Sequence, residues 1–357
     1  MLCIQNRKGW TKLPKISVIM STFNTKEEYL RSSIESILKQ SFKDFEFIII
    51  DDGSSEDDVE IIQSYKDERI ILLKNKENCG LAKSLNKGLD NATGDYIFRM
   101  DSDDIAFGDR FKIQLDFMER HPEIDILGAR AVCYGSNSCP AILDFGNDFY
   151  VKSVLFFTDL ILHPTVVIRR SSVIKYNLRY DDKLRRAQDY DLWVRAAKFC
   201  KFEIIPDVVL RYRCHSQQAT SIARESQLDV CKKVFLFYMN ELNLTTNEQS
   251  VFIRNSLSGD TDNKLNISDI HEWVYEVLRT NKEEHLFNVS YFNERMISRL
   301  LISVALLLKN KKLQANLFQL VKIYNPYNIY FLIKHIARNI YFTTSFYNDV
   351  HVRKEIQ

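Results

Sequence analysis

Short apolar runs alternate with helix-period segments along the first hundred or so residues. "ISVIM" (16–20) reads as a buried strand, and the segment 26–39 gathers Leu30, Ile34, Ile37 and Leu38 on one helical face. "FEFIII" (45–50) reads as the next strand. A helix near 56–66, a strand "RIILL" (69–73), a helix around 81–91 and a strand "DYIFRM" (95–100) complete four β-α units. Such alternation predicts an α/β fold with a mostly parallel sheet flanked by helices. After residue 110 the pattern changes to a helix over 110–120 and then shorter strands. These include "TVVIR" (165–169) and "DVVLRYR" (207–213), with a helix near 188–199 between them. From about residue 225 strand alternation stops, which predicts a mainly helical C-terminal region over 226–357 after an α/β domain over 1–225.

In open α/β sheets, ligands bind beyond the carboxyl ends of the strands. Polar clusters stand at those ends: "STFN" after the first strand, "DDGSSEDD" after the second, "NKENCG" after the third and "DSDD" after the fourth. Together they predict one site. Neither a G-x-G-x-x-G following the first strand nor a G-x-x-x-x-G-K-[ST] is present, so neither a dinucleotide fingerprint nor a P-loop is supported. "DSDDIAFGDRFK" is not a calcium loop either, because its sixth position is Ala106 and its twelfth Lys112. Asp101, Asp103 and Asp104 crowd like charges that a divalent cation would neutralise, and alternate side chains of an extended segment project to one side. A solvated turn, or a carboxylate capping the next helix, is the competing reading of the same spacing.

Bulk properties narrow the class. The chain has 357 residues with 45% hydrophobic and 27% charged positions, enough to build its own core. Its seven cysteines form no C-x-x-C pair, which predicts reduced thiols in a cytoplasmic protein rather than sulfur ligands for a metal. The net charge of +2 hides an asymmetry: residues from 291 onward carry ten Lys/Arg against three Asp/Glu. No apolar stretch approaches the ~20 residues of a membrane span, and the N-terminus lacks a signal-peptide pattern.

Six stretches, in order, resemble glycosyltransferase family 2, the inverting enzymes with a GT-A fold that build bacterial surface polysaccharide or lipooligosaccharide. They are "SVIMSTFN", "SILKQSFKDFEFIIIDDGSSEDD", "NKENCGLAKSLNKGLDNATGDYIFRMDSDD", "LHPTVVIRR", "AQDYDLWVRAA" and "LRYRCHSQQAT", covering roughly residues 16–221. The resemblance implies a GT-A domain with a nucleotide-sugar half over about 16–104 and an acceptor half over about 105–225. It implies a donor that is a UDP-sugar, a Mn²⁺ or Mg²⁺ cofactor, and a saccharide or lipid-diphosphate-linked acceptor joined through a β-linkage. Carried over by position, Asp103 resembles the metal ligand, and Asp101, beside Ser102, the residue at the donor ribose and metal-bound water. Asp52 resembles the acceptor of the uracil N–H, while Ser21, Thr22 and Phe23 resemble the loop lining the uridine. Lys83 approaches the nucleotide in this reading, His215 completes metal or diphosphate binding, and His163 lies on the acceptor side.

An inverting displacement needs a carboxylate to take the acceptor hydroxyl's proton. In the family the motif usually reads Glu-Asp with the aspartate as base; here it is Gln188-Asp189, so Asp189 keeps the base and Gln188 leaves the orienting role of the Glu in question. Asp189 as a helix cap, with Asp191 supporting the first turn, is the structural alternative and is compatible with the base. Asn86 reads as a packing residue, and Trp193 as core because of its helix-spaced apolar neighbours.

In "FLIKHIARNIYF" (331–342) apolar and basic residues separate onto two faces. A basic amphipathic helix suits an anionic membrane surface, which predicts a peripheral association with the inner leaflet. Packing on the catalytic domain or a second subunit is the alternative. The dispersed basic residues match no nucleic-acid motif. Two other readings of the whole chain stand beside the transferase: a catalytically silent sugar-nucleotide or carrier-lipid binding subunit, favoured only by Gln188, and a nucleotidyltransferase, which would need a triphosphate cradle that the sequence lacks.

Overall fold

The computed structural model describes residues 12–54, 56–135, 145–214, 233–234, 236–244, 253, 265–309, 313–314, 328–330 and 333. His215 and nearly all of the amphipathic segment 331–342 lie outside the described residues. The chain forms two compact units: Met1–Phe145 with Ile161–Arg224 and Asn348–Gln357, and Gly146–Leu160 with Glu225–Tyr347.

The first unit is built on β1 (Ile16–Thr22), β2 (Phe45–Asp51), β3 (Ile70–Lys74), β4 (Tyr96–Asp101), β5 (Ile105–Ala106), β6 (Ile126–Gly135), β7 (Val167–Arg169) and β8 (Phe202–Cys214). Their order in the sheet is β3-β2-β1-β4-β7-β6-β8-β5. The pairs β1·β2, β1·β4, β2·β3 and β6·β8 are parallel, while β7 runs antiparallel to β4 and β6, and β5 to β8. This is the mostly parallel mixed sheet expected from the alternation.

Successive strand side chains face opposite sides. Val18, Met20, Phe47, Ile49, Phe98 and Met100 join the buried core with Leu30, Ile34 and Ile37 of α1 (Glu27–Leu38). Phe111 of α4 (Arg110–Arg120) stands edge-on to Phe45 and Phe98 in the same core. Across the sheet, α3 (Leu81–Asn91) packs so tightly that a Cβ on Gly88 would collide with Ile19. Between β2 and β3, α2 (Glu56–Ser64) completes the early units. Because β1, β2 and β4 are parallel and in register, Ser21 lies level with Asp101, and Thr22 with Asp51. The polar strand ends therefore form one row.

The later strands depart from the expected bounds: β7 is shorter than 165–169, because Thr165 belongs to a 3₁₀ turn over His163–Thr165. β6 was not foreseen, and β8 runs from Phe202 rather than Asp207. Pro206 lies within β8, the β6·β8 register slips around Arg130, and Arg130 Nε donates to the Pro206 carbonyl at the slip. A proline and a buried arginine at a bulge erase the period-two signal. Two short helices complete the unit: α5 (Arg170–Lys175) and α6 (Gln188–Ala196).

The second unit is mainly helical where described, with one short parallel strand pair, Leu265–Asn266 and Leu313–Gln314. Its main helices are Asp148–Leu155, Ile267–Glu284 and Val289–Lys309. Phe156 stands edge-on to Phe287 and Phe292, which stack on one another at 4.5 Å. No helix among the described residues is long and apolar enough to cross a membrane. The expectation of seven reduced thiols fails, because Cys214 is disulfide-bonded.

Candidate active site

The carboxyl ends of β1, β2 and β4 hold the polar loops together through side-chain bonds. Asp58, buried on α2, accepts through Oδ2 from the Thr22 hydroxyl at 2.7 Å, the Ser54 hydroxyl at 3.0 Å and the Thr25 N–H at 3.2 Å. Thr25 Oγ1 in turn lies 2.8 Å from Ser102 Oγ. This ties the loop after β1 to the acidic loop after β4. The Thr22 side chain is therefore a strut, not a free hydroxyl. Phe23 is 47% exposed, and Ser21 is half-buried in the same loop.

Asp52 is buried and secures the loop after β3. Its Oδ1 accepts from Asn75 Nδ2 at 2.7 Å, Ser84 Oγ at 2.8 Å and the Cys79 N–H at 3.0 Å; its Oδ2 accepts from the Gly80 N–H at 2.9 Å. Gly53, at φ 75°, touches that loop so closely that a Cβ would stand 2.5 Å from the Glu77 carbonyl carbon. Only glycine fits both the left-handed backbone and the contact. Lys83 is exposed on the first turn of α3, near this loop in sequence.

Asp101, Asp103 and Asp104 each present a carboxylate oxygen within 4.8 Å of the others. Asp104 is fully buried; its Oδ1 accepts from the Arg213 N–H at 2.8 Å, while its Oδ2 is buried without a hydrogen-bond partner. Burial, reinforced by repulsion from Asp101 and Asp103, pushes the Asp104 carboxyl well above its usual range. Arg213 Nε donates to the Asp103 carbonyl at 2.7 Å while its guanidinium stacks on Tyr29 and Tyr134, so the loop is fixed from β8. Three converging carboxylates with one orphaned buried oxygen suit a hard divalent cation, which takes oxygen ligands and supplies the missing positive charge.

One cation does reach this cluster from inside the protein. Arg99, two residues before Asp101 on β4, is 5% exposed and pairs through Nη1 with Asp101 Oδ2. Burial opposes its charge, but Asp101 more than offsets that and holds the guanidinium above its ordinary pKa. Arg99 belongs to none of the polar clusters at the strand ends. A charged residue at a strand position that alternation buries was the available signal.

The second cluster stands on α6 and the turn at His163. That turn, His163–Thr165, is pinned by Gln114 Nε2 donating to the Thr165 carbonyl at 2.7 Å and by the Ala129 N–H donating to Thr165 Oγ1 at 3.2 Å. His163 Nε2 lies 2.8 Å from the Tyr180 hydroxyl, and Nδ1 3.7 Å from Asp189 Oδ2. The imidazole is buried beside Trp193, which is fully buried, as the core reading expected. Burial, then the nearby Arg99 charge, lowers the His163 pKa well below 6.5. Asn86 clamps the backbone of Tyr180 on both sides: Nδ2 donates to its carbonyl at 2.9 Å and Oδ1 accepts from its N–H at 3.0 Å.

Ala187 enters α6 at φ 49° and ψ 30°, a left-handed conformation costing a non-glycine residue roughly 1–2 kcal/mol. The turn buries Gln188, whose Oε1 has no hydrogen-bond partner, and leaves the Asp189 side chain 24% exposed. Asp189 Oδ1 accepts from the Tyr190 N–H at 2.9 Å. Burial raises its pKa above 3.8, against the pull of that N–H and of Arg99. Asp191 pairs with Arg195 at 2.7 Å and is structural. Ser21, Thr22, Asp52, Asp101, Ser102 and Asp103 thus share one row of strand ends, and His163, Gln188 and Asp189 form a second group. Arg99 borders both, since it pairs with Asp101 and its charge acts on His163 and Asp189.

The family described as Glycosyl transferase family 2 matches residues 17–176. An uncharacterised glycosyltransferase of Methanocaldococcus jannaschii is 40% identical over 208 residues, spanning 56% of this chain and 71% of that one. The chain belongs to glycosyltransferase family 2. An uncharacterised glycosyltransferase of Haemophilus influenzae is 31% identical over 236 residues, 62% of this chain and 84% of that one. Among solved structures, residues 1–349 of TarS from S. aureus in complex with UDP-GlcNAc superpose with a TM-score of 0.57 at 19% identity, covering 84% of this chain and 89% of that one. The fold is GT-A, and this family 2 chain is a glycosyltransferase.

Proposed function

We propose that the protein is a metal-dependent inverting transferase that moves a hexosyl or N-acetylhexosaminyl group from a UDP-sugar to a saccharide or lipid-linked saccharide, forming a β-linkage. The carrying observation is the convergence of Asp101, Asp103 and Asp104 at the end of β4, with a partly exposed Asp189 close enough that the Asp101 charge acts on it. Asp103, with Asp104 behind it, would hold Mn²⁺ or Mg²⁺, and His215 would complete the set. Such an ion neutralises charge on a diphosphate leaving group. Asp101 and Ser102 face the donor ribose. Ser21 and Phe23 line the uridine beside Thr22, while Asp52 Oδ2, which has a single internal donor, is the atom left for the uracil N–H. Lys83 stays solvent-exposed until nucleotide binds.

The acceptor hydroxyl attacks the anomeric carbon opposite the departing UDP. Its proton passes to Asp189, the C–O bond to UDP breaks, and the configuration inverts. A raised carboxyl pKa makes Asp189 a better base than an exposed aspartate. His163 and Gln188 stand on the acceptor side. The basic C-terminal end would bring the enzyme to the cytoplasmic face of a membrane carrying lipid-linked acceptors.

A screen of α-linked UDP-sugars with Mn²⁺, against saccharide and lipid-diphosphate-sugar acceptors, tests the reading through the anomeric configuration of the product. A β-configured product is expected. An α-configured product would overturn the inverting mechanism.

A further inference from the structure

We propose that Tyr180 and His163 act as a tautomer lock on Asp189: the Tyr180 hydroxyl donates to His163 Nε2, which places the imidazole's one proton on Nδ1, facing the Asp189 carboxylate. The inference rests on the reading of Asp189 as the base and makes Tyr180 and His163 positioning residues.

Two neutral tautomers fit the 2.8 Å contact between His163 Nε2 and the Tyr180 oxygen. If Nε2 carried the proton, the bare Nδ1 lone pair would face Asp189 Oδ2 at 3.7 Å, acceptor against acceptor. The Tyr180 hydroxyl proton would also lose its recorded partner in a buried position, a desolvation cost of about 1–3 kcal/mol. With the proton on Nδ1, both conflicts vanish. Tyr180 can only donate while it keeps its proton, and burial raises its pKa far above neutrality. His163 must stay neutral, and the groups facing it favour that: Arg99 from β4 repels a second positive charge, Tyr180 and Trp193 are uncharged, and Asp189 is the one opposing carboxylate.

The lock fixes the base in space. Asp189 Oδ1 already accepts the Tyr190 N–H at 2.9 Å, and a proton on Nδ1 places a donor 3.7 Å from Oδ2. With Oδ1 held and Oδ2 facing a donor, the carboxylate plane is set and a lone pair remains for the acceptor proton. Asn86 supports the arrangement by clamping the Tyr180 backbone from α3.

Nitrogen-15 NMR of the full chain labelled at its seven histidines reads the tautomer directly, with His163→Gln identifying the resonances. A protonated Nδ1 and an unprotonated, hydrogen-bonded Nε2 are expected at pH 7 and above. Tyr180→Phe, which keeps the ring, should give a tautomer mixture and lower kcat with KM nearly unchanged. A wild-type His163 protonated on Nε2, or a Tyr180→Phe protein with an unaltered tautomer, would overturn the lock. Turnover by Asp189→Asn would instead overturn the base, so the two failures are separable.

Discussion

Asp189→Asn is expected to lower kcat by about 10²–10⁴-fold, the usual contribution of a positioned general base. Asparagine keeps the size, but its single amide oxygen can accept from only one of the Tyr190 N–H and His163, and it cannot take a proton. UDP binding should change little, because the nucleotide residues stand on the strand ends and Asp189 on α6. The pH profile carries the same signature with a definite sign. Burial raises the Asp189 carboxyl above its ordinary value, so turnover should be complete above that raised pKa and fall as pH drops through it. The acid limb of kcat should therefore lie above the range of an exposed aspartate. Near-normal turnover by Asp189→Asn would remove it from the mechanism.

Arg99→Ala is expected to destabilise the protein by about 3–5 kcal/mol in urea unfolding, the cost of breaking a buried ion pair by removing one partner. The side chain is almost wholly buried, and its loss would leave a cavity beside Asp101 and remove the cation whose charge acts on Asp104 and Asp189. Arg99→Lys keeps the charge and should lose markedly less. A loss below about 1 kcal/mol in Arg99→Ala would mean that water and the remaining side chains satisfy these carboxylates without it.

The first hundred residues were legible because their physics is local. β1, β2 and β4 are mainly apolar runs buried on both faces, and each ends where polar residues begin, so pattern alone found strands, direction and the row of strand ends. The stretch after residue 105 was less legible because its order is long-range. β6 and β8 pair across a bulge at Arg130 and Pro206, two residues that read as strand breakers until their partners are known. The family motifs pointed to Asp103 and Asp189, yet the residues supporting them come from distant segments: Asp58 under the loop after β1, and Tyr180 against His163. Neither pairing has a local pattern. Arg99 alone carried a local sign, as a charge in the middle of a buried strand. His163 had been assigned to the acceptor side from its position in the motif; the geometry adds a contact with the proposed base itself.

The most direct measurement is calorimetric titration of UDP into the full-length protein with Mn²⁺ and with EDTA, alongside Asp103→Ala. Tight binding with Mn²⁺, a marked loss with EDTA and the same loss in Asp103→Ala are expected if the carboxylates of β4 hold the metal that receives the diphosphate. Equal UDP affinity with Mn²⁺ and with EDTA, unaffected by Asp103→Ala, would contradict that claim.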